Sequence, residues 1–515
     1  MNEGGFSFMF HSSLTRGVLI AALSFAFALP AFGPSISAEA ATKAAATTTA
    51  KKTVKSTAKK TTKKTARKTT KAKKTTKKPV SAVSPIKGGV PSQASKAALT
   101  KELNAMIGNT GTHVPGLGVI AFKDGKEVYS HFAGRRHIGA SSGGSDLPIT
   151  RDTRFRVASV SKMFTGFTIM QLVDQGKIDL DEDISHYLGY TLRNPNFPNT
   201  PITVRMLLSH TSSLRDGSYY SLPPSVSIRE YFRPGSDYYS SNHFGSKWQA
   251  PGKYFVYANI NFGVLGTIIE RVTGQRFDKY LKSHILTDLD TEASFFTATL
   301  SPHAFSNLGT IYRKNKGSYW NETGPWIPQC DDFRGKQPTP WTSPSGYSLS
   351  NYRVGTNGTI FAPQGGLRIS YEELSHALRL LINKGVFNGR TVVRPDLMKE
   401  MMTEQWRYTP AHKNGDTYGG SIEGYGLSLY PIYGKGTSRV VKDHVLNLWG
   451  HTGEAYGLLS GVFVIPGTKD GFIYIMNGEA VAEDTDSRSA GKFSGNYIWE
   501  ENIMNAICRH LYFGE

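Results

Sequence analysis

Three short motifs lie far apart along the 515-residue chain: Ser159-Val160-Ser161-Lys162, Tyr257-Ala258-Asn259 and His451-Thr452-Gly453. They work as a set only if the fold brings them together, and that requirement constrains the chain more than any local pattern. The chemistry they supply is acyl transfer through a serine ester. A serine hydroxyl is a weak nucleophile at neutral pH and needs a base close by. A lysine three residues later on a helix shares its face. Its amine becomes a base only where burial or nearby charge lowers its pKa. A tyrosine from a second segment can relay the proton to the leaving group. A strand carrying His-Thr-Gly can hold the substrate backbone, its glycine permitting close approach.

Context sharpens the first motif. Phe155-Arg156-Val157-Ala158 reads as an extended lead-in, and the run from Met163 to Leu172 as a buried helix. Without that context the same residues would be an ordinary helix start, with Ser159 or Ser161 as cap and Lys162 in solvent.

With these motifs in this order, the chain resembles the serine β-lactamase and penicillin-binding-protein-like hydrolases, in the class C-like branch that includes D-alanyl-D-alanine carboxypeptidases, D-aminopeptidases and esterases. The segments Met206-Leu207-Leu208-Ser209-His210-Thr211-Ser212-Ser213-Leu214, Gly365-Gly366-Leu367-Arg368-Ile369-Ser370 and Tyr425-Gly426-Leu427-Ser428 are similar to further segments of that family. The resemblance runs from about Leu103 to the C-terminus. It implies an α+β fold, with an antiparallel sheet made from both chain ends, flanking helices and an inserted, mostly helical subdomain.

The residues point to the same layout. Gly116 to Phe122 and Lys126 to Phe132 flank a Lys123-Asp124-Gly125 turn and read as a hairpin. Leu458 to Ile465 and Asp470 to Met476 read as core strands. Helices are expected over Met163–Gln175, Phe262–Val272, Tyr371–Asn383 and Asn496–Tyr512, the first three stopped by Gly176, Gly274 and Gly385. Residues 300–364, rich in Tyr, Trp, Asn, Gly and Pro, fit the family pattern least well. Read as an insertion, it is either a wall of the active site or a surface excursion packed by its own aromatics, including Trp320, Trp326 and Trp341.

Charge is unevenly spread. Residues 51–80 hold 14 Lys or Arg and no acid, against a net charge of +20 for the whole chain. Residues 41–95 have almost no large apolar side chains and are expected to be disordered, either a solvated spacer or a tether to anionic envelope polymers or headgroups. Nucleic acid is disfavoured as a partner by the expected export. Arg16 followed by the apolar run Gly17 to Phe32 and by Ala38-Glu39-Ala40 reads as a signal peptide over residues 1–40. A retained anchor is the alternative, although the run is shorter than the ~20 residues of a spanning helix. The chain is therefore expected to be exported, to a bacterial periplasm or cell envelope, with the hydrolase domain over 96–515. Cys330 and Cys508 can pair outside the cytosol or stay as two separate buried thiols.

The expected roles follow. Ser159 attacks an amide or ester carbonyl, Lys162 removes its proton and Tyr257 passes a proton to the leaving group. Asn259 binds the acyl-side amide. The resemblance implies an oxyanion hole from the backbone N–H groups of Ser159 and Glu454, beside Thr452 and Gly453. His451 stands where many β-lactamases carry lysine, which tilts the reading toward peptide hydrolases and suggests a pH-dependent contact. Arg439, on an apparent strand, is a candidate for a substrate carboxylate. Glu454 replaces a more usual small residue and would repel a carboxylate or recruit an ammonium group. Ser213 stands where glycine is usual. No metal motif or phosphate loop is present, and the mechanism requires no cofactor. The foremost substrates are peptidoglycan stem peptides, cut by a D,D-carboxypeptidase or endopeptidase. The alternatives are an esterase or other amide hydrolase, less readily a β-lactamase, or a silent wall-binding protein.

Overall fold

The computed structural model describes residues 83–316, 319–343, 346–483 and 485–515. The expected signal peptide and residues 41–82 of the basic segment lie outside them, whereas residues 83–95, expected to be disordered, are part of the described fold. The fold begins earlier than residue 96. Ser84 N–H donates to the Val445 carbonyl and Lys87 N–H to that of Tyr512, each at under 3 Å. Helix α1, Gln93–Ala105, starts with Ser92 as its cap.

Strands β1 (Gly116–Lys123) and β2 (Lys126–His137) form the expected hairpin and are followed by the short strand β3 (Leu147–Pro148). Strand β4 (Arg154–Arg156), a 3-10 turn (Ala158–Val160) and helix α2 (Ser161–Asp174) lead into the helical part. Eleven of the fourteen α2 residues are buried, so this helix has no solvent face. Helix α3 (Ile260–Thr273) packs against it and ends at Gly274 in the left-handed conformation.

Next come strands β5 (Ile311–Lys316), β6 (Trp326–Cys330) and β7 (Arg368–Ser370), then helix α4 (Tyr371–Ile382). Strands β8 (Tyr430–Ile432), β9 (Leu448–Ala455), β10 (Leu458–Val464), β11 (Gly471–Met476) and β12 (Gly478–Glu479) precede helix α5 (Ile498–Ile507).

The main sheet has seven strands in the order β8-β9-β10-β11-β1-β2-β3, all antiparallel. Its centre joins the two chain ends, with Leu117 opposite Met476 and Phe122 opposite Gly471. Both faces are covered, because successive side chains alternate across a strand. Val119 and Ala121 face a core shared with Leu99 and Leu103 of α1 and Ile503 and Ile507 of α5. Ile120 and Phe122 face the other core, with Leu374 and Leu378 of α4.

The entry into α2 is pinned from below. Arg154, 2% exposed, pairs with the buried Glu373 at 2.6 Å. Glu373 also completes the capping box of α4 with Ser370. One carboxylate thus ties β4 to the first turn of α4.

Part of the 300–364 region packs on the sheet and part lies at the surface. Strand β5 pairs with β12 in parallel and with β6 in antiparallel register. The turn between β9 and β10 comes so close that a Cβ on Gly457 would lie 2.4 Å from the Tyr312 carbonyl oxygen. This part is a wall against the sheet. Trp326 is fixed in it by donating to Asn109 Oδ1 at 3.0 Å. Trp341, 74% exposed, belongs to the surface excursion. Cys330 on β6 and the buried Cys508 after α5 are separate free thiols in different parts of the fold.

Candidate active site

The helix-start alternative fails on both counts. Neither Ser159 nor Ser161 is the N-cap of α2, and Lys162 is completely buried. Ser159 sits in the 3-10 turn, lifted one turn ahead of the α2 axis. The residue before it, Ala158, has φ +47°, a conformation unusual for a side chain larger than glycine. Such local strain persists where the surrounding structure over-determines it. Here Ser460 Oγ donates to the Val157 carbonyl at 3.0 Å, and Ser161 Oγ accepts from Leu367 N–H at 3.0 Å.

The Lys162 amine lies 2.9 Å from each of three oxygens: Ser159 Oγ, Asn259 Oδ1 and the Gln364 carbonyl. No carboxylate is among them. Burial therefore holds its pKa well below the ordinary lysine value, opposed by the Asp216 charge. A neutral amine has two N–H donors and one lone pair. The Gln364 carbonyl can only accept, and Asn259 presents its oxygen, so both N–H bonds have fixed destinations. The lone pair is left for the proton of Ser159. The ammonium form would donate to all three and leave no base.

Tyr257 covers the amine, its ring centroid 4.7 Å from Lys162 Nζ. Burial raises its phenol well above the usual tyrosine value, an effect eased by hydrogen bonding to Ser159. The phenol is thus a proton donor at neutral pH. His210 stacks on the Tyr257 ring at 4.2 Å and accepts from Ala258 N–H through Nδ1 at 3.0 Å. Burial keeps this histidine far below its ordinary pKa, and so neutral. The His-Thr-Ser segment thereby braces the Tyr257-Ala258-Asn259 segment from behind.

Asp216 was absent from the sequence reading, although it lies only two residues beyond the recognised segment. Its carboxylate accepts from the backbone N–H groups of Asn259 and Ile260, at 2.9 and 2.7 Å, and from Asn259 Nδ2 at 3.2 Å. Ser213, in the position of the usual glycine, adopts φ +67° in the turn leading to it.

His451 differs from expectation. Its Nε2 accepts from the Tyr425 hydroxyl at 2.8 Å, a phenol that burial keeps protonated, while Nδ1 faces the Thr452 carbonyl. Buried, and with the Lys162 amine nearby, it has its pKa pushed down to about 3. It is a neutral, fixed member of the strand at all physiological pH values and not a pH-dependent contact. Thr452 Oγ1 accepts from Tyr430 at 2.9 Å.

Gly453 explains its own identity. A Cβ there would lie 2.4 Å from the Val157 carbonyl oxygen, 2.5 Å from Ser460 Oγ and 3.1 Å from the Ser159 nitrogen. The nucleophile's backbone and strand β9 therefore touch. Pairing with β8 stops at Tyr430 opposite Gly450. Residues 451–455 thus have no strand on that side among the described residues. Half-buried Glu454 follows Gly453 along this edge. Arg439 is not at the site. It lies off any strand, and its guanidinium donates to the Gly436 and Lys442 carbonyls.

These parts define a serine hydrolase of the β-lactamase and transpeptidase-like fold. The sequence profile of the Beta-lactamase family matches residues 97–494, and the chain belongs to that family. Among its relatives is Protein flp of Staphylococcus aureus strain MRSA252, 28% identical over 184 residues, which are 36% of this chain and 35% of that protein. Penicillin-binding protein 4 of Amycolatopsis lactamdurans is 28% identical over 187 residues, 36% of this chain and 45% of the relative. The chain thus spans only about a third to a half of the length of these relatives. Two solved structures share the fold. The octameric penicillin-binding protein homologue from Pyrococcus abyssi has a TM-score of 0.52 at 23% identity, over 75% of this chain and 74% of that one. The D-amino acid amidase from Ochrobactrum anthropi SV3 has a TM-score of 0.54 at 20% identity, over 81% and 99% respectively.

Proposed function

We propose that this chain cleaves amide bonds of D-amino-acid peptides through a Ser159 acyl-enzyme, with peptidoglycan stem peptides as the foremost substrates. The observation that carries the reading is the buried Lys162 amine, 2.9 Å from Ser159 Oγ and from two fixed acceptors, Asn259 Oδ1 and the Gln364 carbonyl. In the forward step Lys162 takes the Ser159 proton as the hydroxyl oxygen bonds to the carbonyl carbon. Tyr257, protonated, gives a proton to the departing amine. The N–H groups of Ser159 and Glu454 receive the oxyanion. Water then repeats the sequence in reverse roles and releases the acid.

The electrostatics favour an internal or amidated bond over a C-terminal one. A carboxypeptidase needs a cation for the terminal carboxylate. His451 is neutral and Arg439 is committed elsewhere. Half-buried Glu454, next to Gly453, suits an ammonium group better than a carboxylate, as a diamino acid would supply. Relatives named as a penicillin-binding protein and a D-amino acid amidase support the same class. The export-like N-terminus and the basic segment support action in the cell envelope, with the segment contacting anionic polymers there.

The test is incubation of the purified protein with pentapeptide-containing and cross-linked muropeptides, read by mass, with Ser159→Ala as control. Ser159-dependent opening of cross-links establishes an endopeptidase, and loss of terminal D-alanine a carboxypeptidase. No change with either, together with turnover of simple esters, would replace this reading by the esterase one.

A further inference from the structure

The chemistry above depends on Asn259 presenting oxygen, not nitrogen, to Lys162. The two ends of a carboxamide are nearly equal in shape, so something must decide between them. Asp216 is placed to do so. It is half-buried against the start of α3, and each of its three partners is a donor: Asn259 N–H, Ile260 N–H and Asn259 Nδ2. Only the ionised carboxylate fits three donors. With Nδ2 held by Asp216, Oδ1 must face Lys162. We propose that Asp216 is a positioning residue that fixes the Asn259 amide, and thereby directs the Lys162 lone pair to Ser159. The inference rests on Lys162 being the base.

The same carboxylate has an electrostatic role. The titratable groups that face Lys162 are Tyr257 before α3, His210 behind it, His451 on β9 and Asp216. The first three are neutral at neutral pH, for the reasons given above. Asp216 is the one charge among them, and it moderates the depression of the lysine pKa. Removing it therefore lowers that pKa further. An asparagine at 216 also sets an NH₂ group against at least one of the three donors. The relief is rotation of the Asn259 amide, which then offers N–H to Lys162 and consumes its lone pair.

The experiment follows phosphonylation of Ser159 by a fluorophosphonate across pH, in the full-length protein, for wild type, Asp216→Asn, Asp216→Ser and Lys162→Ala. Serine keeps one acceptor for the helix N–H groups but has no second oxygen for Asn259, so it serves if the asparagine variant does not fold. The expected result is a second-order rate at least ~10²-fold lower in the Asp216 variants, the scale of a lost general base, with the acid limb moved to lower pH. Rates within a few-fold of wild type overturn the proposal. So does a slow variant whose acid limb stays in place, because a purely structural defect would behave that way. Labelling that survives Lys162→Ala, or is absent in wild type, sinks the base reading itself and is distinguishable from both.

Discussion

Gly453→Ala tests the contact between strand β9 and the nucleophile turn. The added Cβ would sit 2.4 Å from the Val157 oxygen and 3.1 Å from the Ser159 nitrogen, both backbone atoms that cannot rotate away. Gly453 does not have positive φ, so alanine adds no backbone strain and the whole effect is one of approach. Relief requires the strand and the turn to part by something on the order of 1 Å, a displacement that can cost ~10²-fold when reacting groups lose alignment. It also separates the two N–H groups assigned to the oxyanion, and one such donor is worth about 10²–10³ in kcat, roughly 3–4 kcal/mol. The expected kcat is therefore ~10²–10³ below wild type. Ser460→Ala in the same chain removes the 2.5 Å contact but leaves the Val157 one, and should not restore activity. The assay is steady-state hydrolysis of the muropeptide or ester that the wild type turns over, with thermal melting to establish folding. A folded Gly453→Ala protein with kcat within about fivefold of wild type would falsify the argument that this approach builds the site.

Other perturbations have defined directions. Tyr257→Phe should fold normally and lower kcat by ~10²–10⁴, the range for a general acid–base group. Wild-type kcat/KM should show no limb from His451 between pH 5 and 8, since that group titrates at about 3. Tyr425→Phe removes the donor to its Nε2 and costs roughly 1–3 kcal/mol, measured by denaturant unfolding. Glu500, buried beside Tyr474, has its carboxyl raised to about 7 from the ordinary 4.5. The unfolded chain ionises first, so this group erodes stability as pH rises from about 4.5 to 7. The loss totals about 3 kcal/mol by neutral pH, and Glu500→Gln should flatten that slope in melts taken across the range. Arg154→Ala leaves Glu373 buried without its charge partner and should destabilise by about 3–5 kcal/mol in chemical denaturation.

The periodic and punctuated parts of the chain were legible in its sequence. The hairpin at Lys123-Asp124-Gly125, the glycine stops at 176, 274 and 385, and the strands at 458–464 and 471–476 all follow from local rules, and so the sheet and its helices were readable. Ser159, Lys162 and Tyr257 were readable too, because their motifs are short and contiguous. What escaped depends on contacts between segments. Asp216 is a lone acid in a turn, and nothing local reveals that it meets the start of a helix more than forty residues later. Gln364 contributes only a backbone carbonyl, which any residue would offer. His451 looked titratable because burial, the property that silences it, comes from tyrosines at 425 and 430. Arg439 looked available because its carbonyl partners, Gly436 and Lys442, lie in an irregular segment between β8 and β9 that the alternation of apolar residues disguised as strand.

The central strand pair also fixes when the protein can come into being. Leu117 waits for Met476, and Ser159 for Gly453, across most of the chain. Pairings this distant form late, because loop closure must precede any reward from contact. During synthesis the nucleophile is made early and stays unarmed until the last strands emerge. A prematurely terminated product has the serine and its lysine but not the strand that completes the cleft. Hydrolytic capacity is thus withheld from every incomplete copy by the order in which the polypeptide is made.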